Sequence, residues 1–358
     1  MKKYFYFLLF ATTFIIGCSD DDHVIIEPVE TSGFYVCNEG EWGVPGTSSV
    51  SFYSFDENKF YSDYFLGVNG REIGDLPNQL AVYGSKMYCV VTGSGIIDVF
   101  EAVGGRSIKQ IEMKTNTGAS KDPRQIAFYQ GKAYVCSFDN TVCRIDTASL
   151  TVEKTLTVGN NPDGICITNG KIYVSNSGGL GVYDNTVSVI DINKFEEKYK
   201  INVTVNPGKM ISDNYGNIYV ISRGDYSAVK SCLQRIDSKT DKLDYTSDFQ
   251  ASGFTIYDDL AYIYAFDYDE NWHPANQRVV VYNVKTKDLE TNNFISDGTN
   301  LDTPYCISVN PEDKTVYIAN VADYGAKADI LQFDTNGKLL KMFSNVGLNS
   351  NSIVFVEK

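Results

Sequence analysis

Histidine is almost absent from the chain, which contains only His23 and His273 among its 358 residues. Histidine is the commonest catalytic acid or base and a frequent metal ligand. Its scarcity argues against a histidine-based active site or metal site in this chain. The sequence also lacks a G-x-S-x-G nucleophile motif, a phosphate-binding P-loop and a C-x-x-C pair. These absences favour a binding protein with no catalytic residues. A lactonase- or lyase-like enzyme that uses paired carboxylates is the minority alternative.

Positive charge is also scarce, since 31 lysines and arginines stand against 45 aspartates and glutamates. Residues 1–17 hold two of the lysines, so the chain without them keeps 29 basic residues against 45 acidic ones, a formal charge of −16. A surface this acidic repels phosphate backbones and anionic lipid. Nucleic acid is therefore not expected as a partner.

Long apolar runs are missing beyond the first 17 residues. That segment begins with basic residues, continues as an apolar run too short to span a bilayer, and ends in Ile-Ile-Gly ahead of Cys18. This order predicts a lipoprotein signal peptide over residues 1–17 and lipidation of Cys18. Residues 18–32, which are acidic and contain a proline, are predicted to be a flexible tether. The lipid would be the only attachment of the protein to a membrane.

The seven cysteines after Cys18 lie inside short apolar segments without the spacing of a metal site, and we expect small buried side chains. Cys136 and Cys143 are the one pair of interest. If Asp139-Asn140 is a two-residue turn, these cysteines lie directly opposite each other across a hairpin. The Cβ directions at such a position suit a disulfide poorly, so free thiols are expected there.

An acidic residue or asparagine closes a short apolar segment seven times along the chain, in steps of 45 to 51 residues. A tyrosine in an apolar triplet precedes each of these positions. Repeats of this length, rich in short strands, are typical of β-propellers. The copy number predicts an all-β, seven-bladed β-propeller over residues 33–358. The closing residues are Asp56, Glu101, Asp146, Asp191, Asp237, Asn283 and Asp334, and the tyrosines are Tyr35, Tyr88, Tyr134, Tyr173, Tyr219, Tyr262 and Tyr317.

Each repeat divides into four predicted strands, named A to D. Strand A opens near a proline, strand B carries the tyrosine, strand C ends at the closing residue, and strand D is charged, as suits an outer edge. The pattern starts at Gly33 with strand B and stops after residues 349–358, which look like strand A alone. The C-terminal strand is therefore predicted to complete the N-terminal blade and to close the ring.

Differences in length between the repeats fall between strands B and C and between strands D and A. In an up-and-down meander these two connections emerge at the same end, so one face carries all the variable loops, and binding is expected there. Aromatic and arginine side chains in these loops offer large contact areas. The predicted ligand-binding residues are Trp42, Arg71, Phe138, Tyr183, Arg223, Tyr226, Trp272 and Tyr324.

One acidic segment, Asp267-x-Asp269-x-Asn271, imitates the start of a calcium loop. It then departs from that pattern, because Trp272 replaces the turn glycine and Arg278 stands where a bidentate glutamate is needed. No metal and no other cofactor is predicted. Calcium bound elsewhere among the acidic loops is an alternative that the sequence leaves open.

Two stretches resemble known families. Residues 171–176 (KIYVSN) with residues 185–191 (NTVSVID) are similar to the YVTN repeat of seven-bladed surface-layer and YncE-like propellers. Residues 33–43 (GFYVCNEGEWG) resemble the start of YncE-like surface lipoproteins of gut Bacteroidetes. The best known of those lipoproteins bind cobalamin and pass it to a TonB-dependent outer-membrane transporter. The resemblance therefore implies cobalamin or a related corrinoid as the ligand of this chain and such a transporter as its partner.

Cys18 with the following Ser-Asp-Asp-Asp resembles the surface-export signal of Bacteroidetes lipoproteins. This resemblance implies an outer-membrane lipoprotein that faces the cell exterior. A corrin is a broad ring edged by amides, and it suits a wide mouth rimmed by aromatic side chains and hydrogen-bonding groups. A glycan, which also stacks on tryptophan, or a protein partner remains an alternative ligand.

Overall fold

The computed structural model describes residues 26–28, 30–179, 181–269, 273–323 and 325–358. In this part of the chain, 28 strands form seven four-stranded antiparallel sheets, each of which is a blade of a β-propeller. The predicted fold class and the predicted number of blades are therefore confirmed.

Each blade consists of strands A to D, counted outward from the central channel. Blade 1 contains β28 (Ser350–Val356), β1 (Gly33–Asn38), β2 (Ser49–Ser54) and β3 (Lys59–Tyr61); blade 2 contains β4 (Pro77–Tyr83), β5 (Lys86–Val91), β6 (Ile96–Glu101) and β7 (Ser107–Glu112); blade 3 contains β8 (Pro123–Tyr129), β9 (Lys132–Ser137), β10 (Thr141–Asp146) and β11 (Thr151–Thr157). Blade 4 contains β12 (Pro162–Thr168), β13 (Lys171–Asn176), β14 (Thr186–Asp191) and β15 (Glu196–Asn202); blade 5 contains β16 (Pro207–Ser212), β17 (Asn217–Ser222), β18 (Cys232–Asp237) and β19 (Lys242–Thr246); blade 6 contains β20 (Gly253–Tyr257), β21 (Leu260–Tyr268), β22 (Pro274–Asn283) and β23 (Asp288–Thr291); blade 7 contains β24 (Thr303–Val309), β25 (Val316–Val321), β26 (Lys327–Phe333) and β27 (Leu339–Leu348).

The tyrosines that mark the repeat form the core between blades. All seven lie in strand B and are at most 7% exposed. Between blades 7 and 1, for example, the ring centroids of Tyr317 and Phe34 lie 5.2 Å apart. Both faces of strands B and C are buried in this way, which explains their nearly continuous apolar sequences. The outer strands, such as β11, are mostly exposed and charged, and this discourages edge-to-edge association.

The C-terminal strand closes the ring as predicted. Strand β28 pairs antiparallel with β1, and Phe355 lies opposite Phe34. Just before β28, the Asn349 side chain donates a hydrogen bond to the carbonyl oxygen of Gly40 at 2.8 Å. The two ends of the propeller therefore share one sheet, and the innermost strand of blade 1 comes from the C-terminus.

The connection between blades 1 and 2 contains an element that the sequence did not predict, helix α1 (Tyr64–Asn69). Tyr64 and Phe65 of this helix are buried, and they cover the side of blade 1 where β3 is only three residues long. The backbone N–H of Ile26 donates to the carbonyl oxygen of Gly67 at 3.0 Å. Within the described ranges, the structure contains no helix of the length and apolar character that crossing a bilayer requires.

The predicted opposition of Cys136 and Cys143 is wrong. The turn between β9 and β10 contains three residues, 138–140, instead of two, and Cys136 lies opposite Val142 while Cys143 lies opposite Val135. Since successive residues of a strand point to opposite faces, the two thiols are on different sides of the blade. Both cysteines are buried and free, as the sequence analysis expected.

The connections between strands B and C and between strands D and A meet at one end of the ring, which we call the loop face. Strand A of every blade begins at this face, and the seven strands A surround a central channel. The opposite end carries the short turns between strands A and B and between strands C and D. The predicted concentration of long loops on one face follows directly from this topology.

Candidate functional site

The first residues of the innermost strands surround the opening of the channel on the loop face. Four of these strands begin with proline. Proline is tolerated there because the first residue of a strand does not have to donate a backbone N–H bond to the neighbouring strand. The following residue lies at the rim of the opening. We define the mouth by the rim residues Asn78, Arg124, Asp163, Gly208, Tyr305 and Asn351, together with Glu39 and Arg223, which follow strands B of blades 1 and 5.

Asp163 is the centre of an ion-pair network at the mouth. Its Oδ1 accepts a hydrogen bond from Nε of Arg124 at 2.8 Å, and its Oδ2 accepts one from Nη2 of Arg223 at 2.5 Å. Burial by itself raises the pKa of this carboxyl, but the charges of Arg223 and Arg124 outweigh burial and hold the pKa of Asp163 below its ordinary value. Asp163 is therefore ionised at neutral pH, with both oxygens occupied by guanidinium groups.

Two glycines create the space that the Arg223 side chain crosses. A Cβ atom on Gly208 would lie 2.6 Å from Nη2 of Arg223, and one on Gly164 would lie 2.1 Å from the carbonyl oxygen of Gly208. Larger residues at these positions would collide with the guanidinium group or with the neighbouring backbone. Arg223 of blade 5 can therefore pass over its own innermost strand and reach Asp163 in blade 4.

Phe138 and Tyr305 support the charged groups of the mouth. The guanidinium carbon of Arg124 lies 4.6 Å from the ring centroid of Phe138, within the range of a cation–π contact. The Tyr305 hydroxyl donates a hydrogen bond to Oε2 of Glu39 at 2.9 Å. Burial nevertheless raises the pKa of Glu39. The mouth thus combines a carboxylate fixed in its ionised form with a second carboxyl group that takes up a proton more readily than an exposed glutamate.

A cavity of about 680 Å³ opens beside the mouth between blades 5 and 6. Arg223 forms part of its wall, and the aromatic residues Tyr226 and Tyr268 are 46% and 50% exposed there. A concave site of this size, with aromatic walls and a few polar groups, is typical of small-molecule binding. The polar wall residues are Ser227, Lys230, Ser231, Gln250, Ser252, Asp267, Asp269 and Asn276.

The loop that carries Tyr226 is closed by the side chain of Asp225. Its Oδ1 accepts backbone N–H bonds from Ser227 at 2.9 Å and from Val229 at 2.8 Å. The bond from Val229 is the main reason why the pKa of Asp225 is lowered. Tyr226 itself has a φ of 57°, a left-handed conformation that is uncommon for an aromatic residue.

Half of the predicted ligand-binding residues lie at the mouth or beside the cavity. Arg223 and Phe138 belong to the network at the mouth, and Tyr226 belongs to the cavity wall. The Tyr183 ring contacts Tyr226 edge-on, with 6.3 Å between the ring centroids. Trp42 is 74% exposed in a loop of blade 1 on the same face, away from the residues that line the cavity.

Arg71 lies apart from this site. Its Nη1 lies 2.8 Å from Oδ2 of the buried Asp98, and its Nη2 donates to the Ser107 hydroxyl at 2.7 Å. The guanidinium group also covers the ring of Phe65 in helix α1. These contacts fix the connection between blades 1 and 2 and occupy the donors that a ligand would need. Three further predicted residues, Trp272, Tyr324 and the lipidation residue Cys18, lie outside the described residues.

The acidic residues of the imitated calcium loop bond to different groups. Oδ2 of Asp267 accepts a hydrogen bond from the Asn276 amide at 3.1 Å, and Oδ1 of Asp269 accepts the backbone N–H of His273 at 2.8 Å. Within the ranges that the structure describes, no three His, Cys, Asp or Glu side chains are arranged to hold a metal ion. Asn271 lies outside those ranges.

Arg124, Asp163 and Glu39 were not predicted as site residues from the sequence, although they carry most of the charge at the mouth. One signal was present: the prolines that open strand A in blades 3 and 4 are followed directly by residues of opposite charge, Arg124 and Asp163. In a propeller, equivalent positions of neighbouring blades lie side by side, so opposite charges at these positions indicate an ion pair. Glu39 gave no comparable signal, because it follows strand B in a connection whose length and sequence differ from repeat to repeat.

The comparison with protein families covers nearly the whole propeller. The family described as "Domain of unknown function (DUF5074)" matches residues 32–348. None of the curated proteins matches the sequence.

Solved structures with a similar fold come from several bacteria. A quinonprotein alcohol dehydrogenase-like protein from Bacteroides thetaiotaomicron has a TM-score of 0.65 and 15% identity, covering 91% of this chain and 78% of that one. A functionally unknown protein from Desulfotomaculum acetoxidans has a TM-score of 0.66 and 12% identity, covering 91% and 99%. A candidate 6-phosphogluconolactonase from Bacteroides fragilis has a TM-score of 0.64 and 11% identity, covering 92% and 99%. Likeness at these identities shows the propeller fold alone.

Proposed function

The chain belongs to the DUF5074 family, and for this member we propose a binding function, the capture of a small molecule on the loop face. The observation that carries the proposal is the position of Arg223. Its side chain closes the ion-pair network of the mouth and also forms part of the wall of the cavity between blades 5 and 6. A ligand in the cavity would therefore contact the mouth as well.

The state of Asp163 supports a binding role for this carboxylate in preference to a catalytic one. A general base needs a free lone pair and a pKa near the working pH. Asp163 offers neither, because Arg124 and Arg223 occupy its oxygens and lower its pKa. A fixed charged network next to exposed aromatic rings instead suits the orientation of a ligand that is large, partly apolar and rich in hydrogen-bonding groups.

The ligand that we propose is cobalamin or a related corrinoid. Residues 33–43 resemble the start of cobalamin-binding surface lipoproteins, and the site has the chemistry that a corrin needs. Tyr226 and Tyr268 offer ring faces to the macrocycle. Gln250, Ser252 and Asn276 can exchange hydrogen bonds with its peripheral amides. The corrinoid would fill the cavity with one edge and extend over the mouth.

The cellular role that we propose follows from the N-terminal segment. Lipidation of Cys18 would hold the protein on the outer membrane, with residues 18–32 as the tether and the propeller outside the cell, where it would deliver the corrinoid to a TonB-dependent transporter. The placement of Ser32 supports this arrangement, because its hydroxyl accepts the backbone N–H of Lys358 at the end opposite the loop face. The tether would thus leave the binding face uncovered.

A desalting experiment tests the proposed ligand. Purified protein is mixed with cyanocobalamin and passed through a desalting column, and the absorbance of the protein fraction is recorded. Retention of the red ligand is the expected result, and colourless protein would remove the corrinoid proposal. In that case, retention on a polysaccharide gel would favour a glycan as the ligand, while turnover of a panel of lactones or uronates would favour an enzyme.

A further inference from the structure

The central channel continues below the mouth as a separate cavity of about 390 Å³. Residues from all seven innermost strands form its wall, and polar atoms make up more of the cavity surface than the aliphatic side chains do. Lys209 of β16 stands in this wall, one residue deeper than the rim residue Gly208. Among the described residues of the wall, it is the one with an amine or carboxyl side chain.

The Lys209 ammonium group has no partner of opposite charge. Within the described part of the chain, no carboxylate lies in ion-pair distance of Nζ and no acceptor is within hydrogen-bond distance of it. The thiol of Cys306 is the titratable group that acts on it, but burial raises the pKa of Cys306 to about 12, so this thiol is neutral at pH 7. Lys209 is half-buried in the channel wall, and burial lowers the pKa of its amine because the ammonium form loses hydration there without gaining a counter-charge.

Two other residues of the channel wall, across the channel from Lys209, have donors that are oriented but unused. Oε1 of Gln79 accepts the backbone N–H of Ile126 at 2.8 Å, which fixes the amide and leaves its NH₂ group free to donate. The Ser352 hydroxyl oxygen accepts the backbone N–H of Leu80 at 3.3 Å, which leaves the hydroxyl proton to donate. Amide, hydroxyl and ammonium donors that share one cavity are suited to an anion.

We propose that the channel binds a small oxyanion at Lys209, with Gln79 and Ser352 as additional donors. The anion would supply the missing counter-charge, and the cavity is large enough for phosphate, sulfate or a short carboxylate together with water, since a water molecule takes about 30 Å³. These three candidate ligands are all compact anions with acceptor oxygens on several sides. The site is independent of the proposed ligand of the loop face, because it lies in the channel and uses none of the residues of the mouth or of the cavity between blades 5 and 6.

Calorimetric titration of the full propeller tests this site with two probes, inorganic phosphate and acetate, in buffer free of other oxyanions. The variant Lys209→Met keeps the length of the side chain and removes the charge, and Lys154→Met on the exposed outer strand β11 is the matched control. We expect binding to wild type and to Lys154→Met, with a loss of at least about tenfold in affinity for Lys209→Met, the scale of one charge-assisted hydrogen bond. Stronger binding of phosphate would identify an inorganic ligand, and stronger binding of acetate a carboxylate metabolite.

A second measurement does not depend on any variant. Crystals of the wild-type protein grown with selenate should show one anomalous peak within hydrogen-bond distance of Nζ of Lys209. The unfolding temperature of Lys209→Met in oxyanion-free buffer should be equal to or higher than that of wild type, because the unpaired charge is gone. Equal affinities of wild type and Lys209→Met for phosphate and acetate, or a channel without a selenate peak, would overturn the proposal.

Discussion

Nη2 of Arg223 lies 2.5 Å from Oδ2 of Asp163, and this contact joins blade 5 to blade 4 across the backbone of Gly208. The same arginine borders the cavity between blades 5 and 6. One side chain therefore connects the structural rim of the channel to the surface where a ligand is proposed to bind. The rigidity of the rim and the shape of the cavity depend on each other through this contact.

Replacement of Asp163 should destabilise the propeller. In Asp163→Asn, two arginines lose their carboxylate, and we expect a loss of about 2 kcal/mol in the free energy of unfolding, the usual range for a charged hydrogen-bonded group whose partner is removed. Urea unfolding at pH 7 measures the change. Asp288→Asn on the exposed outer strand β23 is the matched control and should leave stability unchanged. Equal midpoints for the two variants would contradict the role of the network.

The stability of the wild type should also depend on pH through Asp163. Its pKa in the folded protein lies below the ordinary value, so its contribution is complete above the unfolded pKa of about 4 and is lost as the pH falls through the lower, folded pKa. Thermal unfolding between pH 5 and pH 2 should therefore show a smaller decline for Asp163→Asn than for wild type. Parallel declines would show that other carboxyl groups dominate acid unfolding.

The exposed tyrosines of the cavity should contribute to ligand affinity. Tyr226→Ala and Tyr268→Ala are each expected to weaken cyanocobalamin binding by about 1–3 kcal/mol, the scale of an aromatic contact at the centre of an interface. Quenching of protein fluorescence by the ligand measures the affinity. Tyr215→Ala, which removes a similarly exposed ring from a turn between strands A and B at the opposite end, should bind like wild type.

The two tryptophans that the sequence predicts to bind the ligand give a separate test of the binding site. Trp42→Ala and Trp272→Ala should each weaken the same binding by about 1–3 kcal/mol if the ligand extends over the loops of blades 1 and 6. Trp42 is free to contact a ligand, since it is 74% exposed on the loop face. Unchanged affinity in both variants would restrict the site to the surroundings of Arg223 and Tyr226.

Ring closure by the C-terminal strand predicts a large effect of truncation. Removal of residues 349–358 takes away β28, the innermost strand of blade 1, and exposes the edge of β1. We expect the unfolding temperature to fall by more than about 10 °C, because the loss of a closing strand costs several kcal/mol. Removal of Glu357 and Lys358 alone, which follow the strand, is the control and should change little. A truncated protein that melts with the full-length one would contradict closure at this strand.

The repeat in the sequence was sufficient to predict the fold and the loop face. Buried tyrosines such as Tyr88 and Tyr173 recur because each blade packs on the next in the same way. The same packing requirement therefore leaves the same residue pattern in all seven repeats. Features that occur once could not be predicted in this way. Helix α1 occurs only in the connection between blades 1 and 2 among the described residues, and the turn after Cys136 has one residue more than the sequence suggested.

The candidate site was only partly predictable for a similar reason. Exposed rings such as Tyr226 were found because loops on a rigid scaffold favour binding residues. Arg71 could not be distinguished from Arg223 by its position in a loop, although the first is held by Asp98 within the protein and the second borders the cavity. The partner of each arginine depends on which blades meet, and this information is present only in the three-dimensional structure.

Anomalous diffraction at the cobalt edge, from crystals grown with cyanocobalamin, tests the central claim most directly. The account predicts a single cobalt peak above the loop face, with the corrin in contact with Arg223, Tyr226 and Tyr268. A cobalt peak at the opposite end of the ring near Tyr215, or a saturated solution that leaves the loop face empty, would contradict it.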